Sequence, residues 1–171
     1  MLLFQMYMLV KRIHSFLDRV IMHERSPRRL ALTVSLGVYI GISPFIGFHT
    51  IMTFLFGWLF ALNLAVLFAV SFLIHNPWTT LPIYMFDHYV GQLFFGFFNM
   101  DGMQFDPTWV ESCNLFLKTH TGISGLSLTA FLVGGNLLAV AASLIIYPFA
   151  MYIFEQYLSH KKCITVYEEV I

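Results

Sequence analysis

The sequence predicts an all-α, polytopic membrane domain, and three observations carry that expectation. Between Arg29 and Asp87 lie 57 consecutive residues without a Lys, Arg, Asp or Glu. As one straight helix this run would measure roughly 85 Å, whereas a bilayer core is ~30 Å thick and is crossed by ~20 apolar residues. Of the 171 residues, 58% are hydrophobic and 11% charged, against ~45–50% and ~25% in soluble domains. The run is also interrupted at Pro44-Phe45-Ile46-Gly47 and at Asn76-Pro77, and backbone breaks at membrane depth are tolerated where protein or a water-filled cavity covers them. The expected architecture is therefore about four crossings, or their equivalent in Pro/Gly-broken or re-entrant helices, preceded by a basic amphipathic helix.

The elements follow in order. Over residues 1–25, Leu2, Met6, Leu9, Ile13, Phe16, Leu17 and Val20 recur at helical spacing, with Lys11, Arg12 and Arg19 mostly elsewhere on the wheel. This pattern suits a helix in the cytoplasmic interface, touching anionic headgroups, or one packed on the membrane domain. The charges follow the apolar stretch rather than preceding it, which argues against a signal peptide. Ser26 and Pro27 start the next helix, and Arg28 and Arg29 mark the membrane surface. Leu30–Ser43 and Phe48–Leu62 are each too short to span comfortably. Leu64–Ile74 is shorter still, and Pro77 and Pro82 are expected to keep helix out of the turn before Leu81–Phe98. A short piece, a Pro break and a longer piece thus recur, as in an internal repeat; paired interrupted segments point to a midplane site. The alternative is a bundle with two kinks.

The stretch 99–121 is the polar connection, and Trp109, Cys113 and Phe116 on one face predict a short interfacial helix within it. From Thr119 to Phe154 charge is again absent for 36 residues. Gly134-Gly135-Asn136 is expected to divide this run into a half-helix and a spanning helix kinked at Pro148. The membrane domain covers 26–158 and a short tail 159–171. Six of the nine basic residues precede the first apolar run, and Lys161 and Lys162 follow the last. Positive flanks stay in the cytoplasm, so both termini are expected there and 99–121 outside.

Candidate functional residues cluster at the breaks. If a half-helix opens at Phe48, its first amides point into the break, where partial positive charge suits an anion. Pro44, Gly47, His49 and Thr50 therefore form one candidate substrate site, and Asn76, Thr79 and Thr80 its counterpart. The alternative is a pair of turns whose polar groups satisfy their own backbone. Asp87 is the one acid between Arg29 and Asp101 and would cost about 2.5–3.5 kcal/mol at the bilayer centre. It is a candidate coupling residue, with His88, His75 or His49 as partner, or else sits with Tyr84 in a polar rim. Gly37 and Gly41 form a GxxxG pair for close packing within the chain or between two copies. Asn63 and Asn136 are expected to hydrogen-bond across helices. Cys113 and Cys163 fall on opposite sides, so no disulfide is expected, and no metal or other cofactor. Phosphate-loop, zinc-protease, nucleophile-elbow and basic-aromatic patterns are absent, which argues against an enzyme and against nucleic acid.

Ser26-Pro27, Ala31, Gly37, Gly41, Pro44, Gly47, Thr50, Asn63, Asn76-Pro77 and Gly91 together carry a resemblance. Over about residues 15–155 the chain resembles the bacterial membrane family named domain of unknown function 2062, with His49 where that family often has Gln. The resemblance implies a small bacterial inner-membrane protein. Relatives joined to glycosyltransferase domains point to polyprenyl-linked sugar or envelope-lipid metabolism. Two functional expectations result. One is translocation of a lipid-linked or small anionic substrate through the breaks. The other is a non-transporting scaffold or accessory subunit of an envelope-biogenesis complex.

Overall fold

The computed structural model describes residues 26–45, 47–100, 106–121 and 125–169. The amphipathic segment carrying Lys11, Arg12 and Arg19 lies outside them. Six α-helices and no strand are present among the described residues: α1 Pro27–Ile42, α2 His49–Leu59, α3 Leu64–Ile74, α4 Pro77–Phe97, α5 Thr108–Thr121 and α6 Leu128–Glu169.

The helix ends follow from local chemistry. Pro27 occupies the first turn of α1, where its missing N–H costs nothing. Pro44 ends that helix by excluding α geometry from Ser43, whose ψ is 141°. Gly47 then turns the chain at φ +82°, a value open to glycine. Asn63 caps α3 through the amides of Ala65 and Val66 at 3.1 and 3.4 Å.

Asn76 does the most. Its side-chain oxygen accepts from Trp78 and Thr79 at 3.0 and 3.1 Å, and its amide donates to the Leu73 carbonyl at 3.0 Å. Thr79 completes a capping box by accepting from the Asn76 amide at 3.2 Å. One residue thus ties the end of α3 to the start of α4 and holds the two helices at 75°.

Two expectations about helix breaks are corrected. Pro82 lies inside α4; the capped first turn below it nucleates the helix, which then absorbs one missing hydrogen bond. Gly134-Gly135 does not divide the last apolar run, because α6 is one 42-residue helix. Those glycines lie instead where α6 meets α4 and the Pro44 turn. The same helix continues through Glu169, so most of the segment expected as a tail is helical. The expected repeat also changes order: lengths run 16, 11, 11 and 21 residues, long–short followed by short–long.

α6 is the spine, packed on one side by α1 and on the other by α4, with α3 on α1 and α2 on α3. The register is visible at the glycines. Gly37 and Gly41 of α1 face Val70 and Ile74 of α3, where an added Cβ would stand 2.8 Å from each Cβ, so these helices run parallel. Gly91 of α4 lies on the Ala130 backbone and Gly134 of α6 on the Asp87 carbonyl, so α4 and α6 run antiparallel. His49 faces His75, and Gly57 faces Leu64, which makes α2 and α3 an antiparallel hairpin of two 11-residue helices.

The interior is mostly small or polar, with Leu30, Ile40 and Leu67 also enclosed, and the exterior is large and apolar. Ala31, Thr33, Ser35, Thr53, Ser71, Ala130 and Ala139 are buried, whereas Trp58, Phe72, Leu73, Leu81, Leu144 and Phe149 are exposed. Small residues at these contacts let the helix backbones approach closely, a pattern shared with helices packed in hydrocarbon. Leu128–Ser159 of α6 is long and apolar enough to cross a membrane, with only 11% of its most apolar window buried. A soluble core helix of that hydropathy would be covered. The bent α3–α4 pair passes the same test when taken together.

Candidate functional site

The tertiary fold brings the two breaks together. α1 and α3 run parallel, so their ends at Ser43 and His75 lie at one level, and α2 starts from that level. The His49 and His75 rings stack there with centroids 4.1 Å apart. His75 is followed by Tyr84 at 5.9 Å, and Tyr84 meets Phe131 of α6 edge-on at 5.1 Å. Tyr84 precedes Asp87 by three residues on α4, which places both on one face, one turn apart. Asp87 is 0% exposed and lies against Gly135, where a Cβ would be 3.0 Å from its carboxyl carbon and 2.8 Å from the Pro44 ring. Gly135 makes room for that carboxylate and for Pro44, and Gly134 for the α4 backbone at Asp87 and Gly91.

Five side-chain atoms in this group are buried without a hydrogen-bond partner among the described residues: His49 Nε2, His75 Nδ1, Tyr84 Oη and both Asp87 carboxylate oxygens. Buried polar groups are normally paired, so this concentration marks the group as one not built for stability. Beside it, Tyr39 Oη donates to Asn136 Oδ1 at 3.1 Å, and Asn136 Nδ2 donates to the Leu132 carbonyl at 2.8 Å. That pair ties α1 to α6 and is satisfied.

Two cavities adjoin the group. One of about 220 Å³ is a slot between α2 and α3, lined by Gly47, His49, Thr50, Thr53, Ser71 and His75, with Phe68 and Phe72. The other, of about 580 Å³, lies between α4, α5 and the start of α6 and has mostly apolar walls, among them Met85, Trp109, Leu126 and Phe131. Tyr84 lines this second cavity and also stands in the polar group. Polar cluster and apolar cavity therefore share a wall.

The residues singled out in the sequence divide into three sets. Pro44, His49 and Asp87 are in or against the cluster, and Thr50 and Gly47 line the slot. Asn76, Thr79 and Thr80 build the bend: Thr80 Oγ1 donates to the Asn76 carbonyl at 2.7 Å, and Thr79 Oγ1 donates to the Ile74 carbonyl. Trp78, at the start of α4, is 90% exposed. His88 is not beside the Asp87 carboxylate. Its Nε2 accepts from the Ser127 amide at the start of α6, at 3.0 Å, and it lines the 580 Å³ cavity together with Tyr84. Adjacent helical positions diverge by about 100°, so Asp87 and His88 cannot share a face. Arg28 and Arg29 are exposed at the start of α1.

Tyr39 belongs to the site and was not among its expected residues, and Tyr84 was expected only as a companion of Asp87 in a polar rim. Tyr84 had a signal, its i, i+3 spacing to Asp87; Tyr39 had none beyond a place between two glycines. Asp106 and Ser127 form a further unexpected unit at the start of α6. Asp106 Oδ1 accepts from Ser127 Oγ and from the Thr129 amide, both at 3.1 Å, and Ser127 Oγ accepts from the Ala130 amide at 3.1 Å. Among the described residues no group of three His, Cys, Asp or Glu side chains is placed to hold a metal.

The fold and site define a class: an all-helical apolar bundle enclosing an unpaired ionisable group where two helix breaks meet. A family model described as "Uncharacterized protein conserved in bacteria (DUF2062)" matches residues 10–162, and the chain belongs to that family. No curated protein and no solved structure matches it.

Proposed function

We propose that this chain is a multi-pass protein of the bacterial inner membrane that translocates a lipid-linked or small anionic substrate and is not an enzyme. In this reading α1–α4 carry the chain across once, with α2 and α3 as a re-entrant hairpin, and α6 carries it back. The four crossings expected from the sequence become two full passages plus the hairpin. Both termini then lie in the cytoplasm and α5 lies at the far surface. Membrane lipids are the surrounding partners, with Arg28 and Arg29 at headgroup level.

The observation that supports translocation best is the wall shared at Tyr84. A lipid-linked substrate has a polar head and a hydrocarbon chain. The cluster His49–His75–Tyr84–Asp87 offers hydrogen-bonding groups to the head, and the 580 Å³ apolar cavity receives the chain. Intramembrane ionisable residues facing the bundle interior mark such pathways. A scaffold has no need of five unpaired polar atoms beside a cavity, each costing stability.

The test is flip of a fluorescent anionic phospholipid in proteoliposomes, read by quenching of the outer leaflet. Wild type is expected to quench beyond the outer-leaflet fraction, and Asp87→Asn and Thr50→Ala to lose most of that excess while eluting as wild type does from gel filtration. Wild-type vesicles indistinguishable from empty ones with anionic phospholipids and with a polyprenyl phosphate would refute the reading and favour the scaffold.

A further inference from the structure

We propose that Asp87 exchanges protons with the slot between α2 and α3 through Tyr84 and the stacked His75–His49 pair, which makes the cluster a proton path. This deepens the translocation reading and rests on it for what the proton drives; the exchange itself needs no substrate.

The slot can hold water. Its volume of about 220 Å³ exceeds by several-fold the ~30 Å³ share of one water, and a water needs two to four polar partners. Thr50, Thr53 and Ser71 hydroxyls and two imidazoles line it, so it suits a short file of waters. At its inner end stand His49 and His75, ring centroids 4.1 Å apart. From there the order is His75, Tyr84 at 5.9 Å, then Asp87 one turn along α4. Every member carries a buried atom with no partner among the described residues, so these atoms are not hydrogen-bonded to one another as they stand, and each hand-over is completed by a side-chain rotation or a bridging water. Imidazole accepts on one nitrogen while donating from the other, and a phenol both donates and accepts.

The step balances simply. A hydronium in the slot gives its proton to the imidazole pair, which releases one to Tyr84, whose own proton passes to the Asp87 carboxylate. Water and a carboxylic acid result, and each carrier is restored.

The remaining groups facing Asp87 do not compete. α6 contributes Gly134, Gly135 and the Asn136 already bonded to Tyr39, and no Lys, Arg, Asp or Glu lies between Leu128 and Phe154. α1 contributes Tyr39, whose hydroxyl is engaged, and the following turn contributes Pro44. On α4, His88 accepts from Ser127. Tyr84 is what is left; it reaches the slot through His75 and also borders the 580 Å³ cavity, whose walls are mostly apolar.

The experiment uses the full-length protein in nanodiscs and infrared difference spectroscopy after a pH jump, the Asp87 carboxylic C=O band being assigned by its loss in Asp87→Asn. In wild type the band is expected to rise and fall reversibly between alkaline and acid buffer. His75→Phe and Tyr84→Phe are expected to slow its appearance by about tenfold or more, since a positioned proton carrier is worth 10²–10⁴ in rate. His88→Ala is expected to leave the rate unchanged. Tyr84→Phe removes a single oxygen and keeps the test available if His75→Phe fails to fold. A band that does not respond to pH, an unchanged rate in Tyr84→Phe, or an equal slowing in His88→Ala would each overturn the proposal. Proton exchange without lipid movement would keep this inference and remove the translocation reading.

Discussion

Replacing Asp87 by asparagine should make the protein more stable, not less. The carboxylate is 0% exposed, with neither oxygen hydrogen-bonded among the described residues. A charged Asp at membrane depth costs about 2.5–3.5 kcal/mol on insertion scales. Asparagine has nearly the same shape, fits the space left by Gly135, and carries no charge. Its amide would inherit the lack of partners, at about 1–3 kcal/mol. The difference of the midpoints is about 1 kcal/mol in favour of the variant, roughly fivefold in the folded-to-unfolded ratio. For a chain of this size that is a rise in Tm of about 2–4 °C. Thermal gel-filtration profiles in mild detergent read it directly. A fall of more than about 4 °C would refute the reasoning, because it would mean that the carboxylate holds the structure together through a bond to a group outside those described. A stabilised variant that also loses lipid flip would show that Asp87 is kept at the expense of stability.

Two further outcomes test the packing. Gly91→Leu should abolish the monodisperse detergent peak, because its Cβ would enter the Ala130 backbone, which cannot yield; overpacking costs about 1–3 kcal/mol even against side chains. Gly96→Leu, where nothing lies within 4 Å of an added Cβ, should elute as wild type does, and equal behaviour of the two would refute the α4–α6 contact. Asn76→Ala removes the cap of α4 and the tie to Leu73, so a loss of about 1–2 kcal/mol is expected, read as a Tm drop of about 4 °C in the same assay; an unchanged Tm would mean that the 75° bend is held by packing alone.

The sequence made the helical class and the family legible. Apolar runs without charge, ended by Pro44 and by Asn76-Pro77, identify where helices stop, because proline and a capping asparagine act within a turn of themselves. Trp109, Cys113 and Phe116 likewise announce α5, since a face repeats every three to four residues. The same local logic misread Gly134-Gly135. Glycine weakens a helix by only about 1 kcal/mol, and what decides its role is the backbone pressed against it, here α4 and the Pro44 turn. Pro82 was misread for a similar reason, the Asn76 cap below it having no weight in a proline count.

The site divides in the same way. Asp87 stood out because a lone acid in an apolar run is costly wherever it lies. Its surroundings depend on which helices run parallel and at what register, and that is fixed by small residues meeting across 33 to 47 positions of chain, as Gly37 meets Val70 and Gly91 meets Ala130. Apolar composition, helix ends and the presence of two breaks can be read from the chain alone, because each depends on neighbours within a few residues. That the breaks meet, that Tyr84 stands between His75 and Asp87, and that it joins a polar cluster to an apolar cavity follow from distances between helices, which no local rule contains.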